Sequence, residues 1–349
     1  MKQNHIDQNL HINSSCLKKN TLYFTSCNSN ILYTLNLDTN IIKPISMIPE
    51  DSNKMLFSGL YYYQDCIWML PWNAKNIYIY NIRSQEIERF LLPIDVSQHD
   101  DKVKYRKPIF NGKYLYLLPM KYPGVIKINL NKKSYEIYSK WPNEITFPQN
   151  RKMNFKMMSF YNQSLYLYND EVNQSVRISV EDGEMRIWDI GLNKHFGTIN
   201  NSRLYIPPVK KYSKLKIYDL NNGKEIRSIS FNNEIWLDNE QYYSYWYTKT
   251  IKNKIFFMPH EAQRLIMLDI NTEAVSLINI DTTDYTTIRD HKNYAIYEIH
   301  EYGENFILIP YQGNLVIIIN DSGEVIKKYT LKNSLLELKA YISLLSHYK

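Results

Sequence analysis

The chain has 349 residues, with 42 Lys plus Arg against 35 Asp plus Glu, a net charge of +7 spread along its whole length. A nucleic-acid binder gathers its basic residues on one face or stripe, and none is visible here; no apolar stretch approaches the length needed to cross a bilayer. The three cysteines, Cys16, Cys27 and Cys66, have neither a metal spacing nor a disulfide framework, and the first residues lack an apolar signal segment. These features together predict a reduced, cytoplasmic protein with neither a nucleic-acid nor a membrane partner.

Residues 1–10 read as an N-terminal extension, after which one pattern keeps returning: apolar run, proline, short polar loop, apolar run, Asn or Asp, turn. Its anchors are Leu22, Ile67, Leu115, Leu165, Leu204, Ile255 and Phe306. Seven anchors recur at a spacing of about 47 residues, within the range of propeller blades. Four residues after the anchor stands proline in five units: Pro71, Pro119, Pro208, Pro259 and Pro310. Proline cannot donate to a β-ladder, so each one predicts the place where a strand ends and a loop begins. A third run follows, as in Ile77–Tyr80 or Leu215–Tyr218. It ends in Asn or Asp in six units: Asn36, Asn81, Asn129, Asp219, Asp269 and Asn320, with Ser179 in the remaining one. Asp182-Gly183, Asn222-Gly223 and Ser322-Gly323 then predict tight hairpins into a fourth strand.

Each unit therefore reads as four antiparallel strands, and the expected fold is an all-β, seven-bladed β-propeller over residues 11–331. Small sheets of this kind cannot bury both faces alone and must pack against their neighbours through bulky apolar side chains. Asp95 to Lys104 reads as a polar insertion between two units. Over residues 332–349 the period changes: Leu335, Leu338, Ile342 and Leu345 fall on one face of a predicted short amphipathic helix.

Third strands such as Ile217-Tyr218-Asp219-Leu220-Asn221-Asn222-Gly223-Lys224 resemble the β-propeller superfamily, and in particular the bacterial quinoprotein-like and surface-layer-like blades. The single Trp-Asp dipeptide, Trp188-Asp189, falls in a fourth strand rather than at the end of a third, and the Gly-Gly doublet of kelch blades is absent. The resemblance thus implies an architecture and carries over no catalytic residue.

Propellers bind at loops joining second to third strands and at the start of each first strand. Nine residues before the anchors stand Asn13, Ser58, Arg106, Lys156, His195, Trp246 and Tyr297, a more polar row than its neighbour. Period-2 alternation predicts that this row lines a channel mouth, with Arg106, Lys156 and His195 as donors to a small polar or anionic ligand and Trp246 and Tyr297 as stacking walls. Lys107 and Glu298 follow one position later and join the candidate set, although a one-residue bulge would exchange the two rows. A second row at the strand exits, Trp72, Met120, His260 and Tyr311 with Glu261 and Arg264, reads as a rim for a protein or peptide partner.

No metal-ligand spacing, phosphate-cradling glycine loop or nucleophile elbow is present, so no cofactor, metal or catalytic residue is implied. The preferred reading is a non-catalytic binding scaffold. A small-molecule or carbohydrate binder is the alternative, and a lyase or cyclase with His195 and Glu298 as its acid/base pair is the third.

Overall fold

The computed structural model describes residues 9–50, 55–92, 105, 107–120, 124–145, 155–169, 174–188, 197–208, 213–231, 245–260, 262, 264–280 and 296–332. Within them lie seven four-stranded antiparallel sheets, each built from four consecutive strands, so the fold is an all-β, seven-bladed β-propeller. The predicted C-terminal helix and most of the N-terminal extension lie outside the described residues.

The blades fall into two compact units. One unit holds the first, second and seventh blades: β1 (Ile12–Lys18), β2 (Thr21–Ser26), β3 (Ile31–Asn36), β4 (Ile41–Met47); β5 (Phe57–Tyr63), β6 (Cys66–Pro71), β7 (Ile77–Asn81), β8 (Ile87–Phe90); and, at the end of the chain, β25 (Ile296–Tyr302), β26 (Asn305–Pro310), β27 (Leu315–Ile319), β28 (Val325–Thr330). The other unit holds the third to sixth: β9 (Ile109–Asn111), β10 (Tyr114–Leu117), β11 (Val125–Asn129), β12 (Ser134–Tyr138); β13 (Phe155–Tyr161), β14 (Ser164–Asn169), β15 (Gln174–Ser179), β16 (Met185–Ile187); β17 (Thr198–Asn200), β18 (Arg203–Ile206), β19 (Leu215–Asp219), β20 (Glu225–Ile229); and β21 (Tyr245–Ile251), β22 (Lys254–Pro259), β23 (Arg264–Asp269), β24 (Val275–Asn279).

The repeated residues have local reasons to be where they are. Pro71, Pro259 and Pro310 are the last residues of β6, β22 and β26, as a residue without an amide donor should be. The recurrent Asn or Asp closes an Asx-turn: Asn36 Oδ1 accepts from the amides of Asp38 (3.0 Å) and Thr39 (2.9 Å), and Asp269 Oδ1 accepts from those of Asn271 (2.9 Å) and Thr272 (3.0 Å). Asn81, Asn129, Asp219 and Asn320 do the same. Gly183, at φ +76°, could not be replaced without strain, because a Cβ there would sit 2.5 Å from the Tyr138 ring of the preceding blade.

Apolar residues of adjacent blades form the cores within each unit. Leu22, Phe24 and Tyr33 of the first blade pack with Ile307, Ile309 and Val316 of the seventh; a second core joins the first and second blades. In the other unit one core joins the third and fourth blades and another joins the fourth, fifth and sixth. A polar tie recurs at these seams. Lys127 Nζ (2.9 Å) and Tyr138 Oη (3.1 Å) both donate to the Val180 carbonyl of the next blade, while Lys327 Nζ (3.1 Å) and Tyr329 Oη donate to the Leu37 carbonyl. The first and last described residues meet: Asn9 bridges Lys332, and the Leu10 amide donates to the Leu331 carbonyl at 3.1 Å.

Candidate functional site

The first strands determine which polar side chains can reach a ligand, and their register is irregular where the candidate row lies. In β1 the pairing jumps between Ile12 and Ser14, in β5 between Phe57 and Gly59, and in β21 between Tyr245 and Tyr247. Asn13, Ser58 and Trp246 are thus the extra residues of three β-bulges, placed alike in their repeats. A bulge re-aims its side chain. Asn13 is buried and its Nδ2 donates to the Phe57 carbonyl at 2.6 Å; Ser58 is buried and its Oγ lies 3.3 Å from the Pro71 carbonyl.

Tyr297 is buried, its hydroxyl donating to the Ser58 carbonyl at 3.4 Å, and its ring lies 5.3 Å from that of Tyr311, tilted by 52°. Tyr311 itself stays partly exposed where β26 ends, as does Trp72 where β6 ends. Beside them Gln312 is buried at φ +51°, with its Nε2 3.3 Å from Met55 Sδ. These candidate positions of this unit are therefore knit to one another by hydrogen bonds and ring contacts.

Below them lies the densest chemistry. Glu298 is 3% exposed and accepts from the Ser15 amide at 2.8 Å and from Ser15 Oγ in a short hydrogen bond. His300, two residues along β25 and so on the same face, places Nε2 2.8 Å from Ser15 Oγ and 3.6 Å from Glu298 Oε2. Burial pushes the Cys16 thiol well up, and the Glu298 carboxylate adds to the rise; burial and then Glu298 likewise push up the Tyr61 phenol. Ser15 and Glu298 both approach the same imidazole nitrogen. A relay of the hydrolase kind would instead need the carboxylate on the other ring nitrogen. What the cluster can do is hold a desolvated carboxylate beside a hydroxyl and an imidazole, which suits proton sharing or capture of a polar ligand group.

In the other unit Lys107 is half-buried, with its ammonium 5.8 Å from the centroid of the Tyr247 ring. Lys156 pairs with Tyr168 across β13 and β14, but its side chain, like that of Trp246, lies outside the described part. Arg106, His195 and Glu261 lie outside the described residues. Met120 is buried, His260 is half-buried, and Arg264 opens β23 with its carbonyl accepting from Tyr245 Oη at 2.9 Å. Among the described residues no three His, Cys, Asp or Glu side chains gather as metal ligands. Ser15, His300 and Tyr61 are not among the residues that the repeat pattern marks as a site, and Cys16 enters the sequence reading only as one of three cysteines. The alternation Glu298-x-His300 on one strand was the signal for His300; the partnership with Ser15, 283 residues away, had none.

No family model matches the chain, and no curated protein sequence matches it. Solved structures do. PorZ, an essential bacterial surface component of the type-IX secretion system of Porphyromonas gingivalis, aligns with a TM-score of 0.62 at 8% identity over 94% of this chain and 39% of that one. The WD40 β-propeller domain of Doa1 aligns with a TM-score of 0.56 at 9% identity, over 89% and 93% of the two chains. The computationally designed Ika8 protein gives 0.55 at 8% identity, over 93% and 88%. This chain spans well under half of the PorZ chain it matches. Such likeness, at these identities, establishes the propeller fold and no subfamily.

Proposed function

We propose that this chain is a non-catalytic binding scaffold that presents aromatic and basic loop residues to a peptide or protein partner. The observation that carries this reading is the set of partly exposed rings at strand exits, Trp72 and Tyr311, the latter backed by the buried Tyr297 ring. Large rings held on a rigid sheet lose little entropy on contact and supply much of the energy of protein interfaces. The half-buried Lys107 and Arg264 add basic groups in the other unit. Cys16, Cys27 and Cys66 are not bridged to one another, which favours a reducing compartment such as the cytoplasm.

A second reading rests on Glu298, Ser15 and His300, whose buried donors and acceptor would suit a small polar or carbohydrate ligand, or less directly the acid/base step of a lyase or cyclase. Capture from native lysate with tagged wild-type protein, followed by mass spectrometry and a binding measurement on the recovered partner, separates them. The scaffold reading expects a partner whose affinity falls at least about tenfold in the Trp72→Ala/Tyr311→Ala variant. Equal binding by that variant, or turnover of a metabolite by the purified protein alone, overturns it.

A further inference from the structure

The fourth blade breaks a charge rule that the third keeps. In the third blade Lys127 of β11 stands directly opposite Glu136 of β12, with Nζ 3.3 Å from Oε2. The equivalent residues of the fourth blade, two before the third-strand end and two before the ring that closes the fourth strand, are Arg177 and Arg186, also directly opposite each other. In other blades the corresponding pairs are Thr34 with Lys43, Ile79 with Glu88, Ile217 with Arg227, Met267 with Ser276 and Ile318 with Lys327. Among the described residues, only the fourth blade opposes two cations at this place. Like charges directly across an antiparallel pair destabilise it, so this pairing costs the empty protein something.

The same face holds a cleft of about 190 Å³ lined by Arg177, Ser179, Glu184 and Arg186. Val176 and Ile178 turn to the core, so alternation puts Arg177 and Ser179 on the opposite face. Arg177 Nε donates to Ser164 Oγ at 3.0 Å, which fixes the guanidinium plane and leaves its two terminal nitrogens directed away from that bond. The Glu184 carboxylate pairs with Arg186 at 2.8 Å, and the Asp182 carboxylate accepts from the Ser179 hydroxyl beside them; the Glu184 and Arg186 side chains are largely exposed, so a bound anion can displace this carboxylate.

We propose that Arg177 and Arg186 form an oxyanion subsite that holds one phosphate or carboxylate group of a ligand. A planar guanidinium fork donates two parallel hydrogen bonds to either group, and the bound anion removes the repulsion between the arginines. The site lies on residues outside the aromatic rows.

The test is calorimetric titration of the full chain with inorganic phosphate and, separately, acetate at fixed ionic strength. Saturable binding is expected for at least one, weakened at least about tenfold in Arg177→Gln; phosphate alone assigns a phosphoryl ligand and acetate alone a carboxylate. Arg186→Glu copies the third blade, and it should abolish binding while raising the melting temperature in anion-free buffer. No saturable binding of either anion by the wild type, or unchanged binding in Arg177→Gln, overturns the proposal. A lowered melting temperature in a folded Arg186→Glu protein overturns the repulsion it rests on.

Discussion

Two carboxylates near the first blade are used in opposite ways. Glu298 is sealed between β25 and β1 and answered by one backbone amide, one hydroxyl and a nearby imidazole. Asp65 sits in the β5–β6 turn, a quarter exposed, with the Lys18 ammonium at 2.8 Å, an Arg83 guanidinium at 2.5 Å and the Tyr62 hydroxyl at 3.0 Å. The more exposed group pairs with two full cations, whereas the buried one accepts from a backbone amide and a hydroxyl beside an imidazole. Solvent explains the inversion: at the surface charges pair cheaply and gain little, whereas inside a blade seam each acceptor must be matched by donors or the fold loses stability.

That contrast orders a series of substitutions by burial. Glu298→Ala should be the most damaging, costing about 2–4 kcal/mol in urea unfolding, because the buried Ser15 amide loses its acceptor and the Ser15 hydroxyl is left to His300. Glu298→Gln keeps an oxygen there and should lose clearly less; equal losses would mean that shape rather than hydrogen bonding matters at this seam. Next comes Lys127→Met, where the lost bond to the Val180 carbonyl is partly offset by an apolar side chain of similar length. About 1–2 kcal/mol is expected, read from the same unfolding curves.

Glu273→Ala follows. Glu273 accepts from Arg203 at 2.6 Å and from Arg227 at 2.7 Å, and the Arg227 bond is the foremost reason its carboxyl is held below the usual range. Half-exposed pairs of this kind should contribute about 0.5–1 kcal/mol, and most of that should vanish in 1 M salt. Asp65→Asn should be the mildest near neutral pH. The Lys18 ammonium foremost, then Tyr62, hold the Asp65 carboxyl at about 2, below its ordinary 3.8. Its contribution is therefore complete above about pH 4 and is lost as pH falls through about 2. Melting curves of Asp65→Asn and wild type should differ slightly at pH 6 and coincide near pH 1.5; a gap that persists in acid would show that charge is not the cause.

Much of the architecture was legible because its signals are local. A proline at a strand exit and an Asn closing an Asx-turn each act within four residues, and repetition at about 47 residues amplifies a pattern too weak to trust once. The candidate site was legible only in part. Tyr297 and Glu298 were named from their row, yet the bulges at Asn13 and Ser58 turn those side chains onto neighbouring backbone, and no residue type at these positions announces a bulge. Ser15 escaped notice because its partner comes from the far end of the chain. The Arg177–Arg186 pair needs the cross-strand register, which fixes who faces whom and which spacing alone leaves open.

The contact between Ser15 and Glu298 also bears on how the protein is made. The first blade presents Leu22, Phe24 and Tyr33 to partners on the seventh, and those partners emerge from the ribosome some 283 residues later. At 5–20 residues per second that interval is roughly 15–60 s. Throughout it a finished sheet carries an uncovered apolar face and an unanswered seryl amide, while closing so long a loop keeps the final docking step slow. The first blade is thus completed only once the seventh has emerged, and a chaperone that shields exposed β-surface would find a long-lived client there.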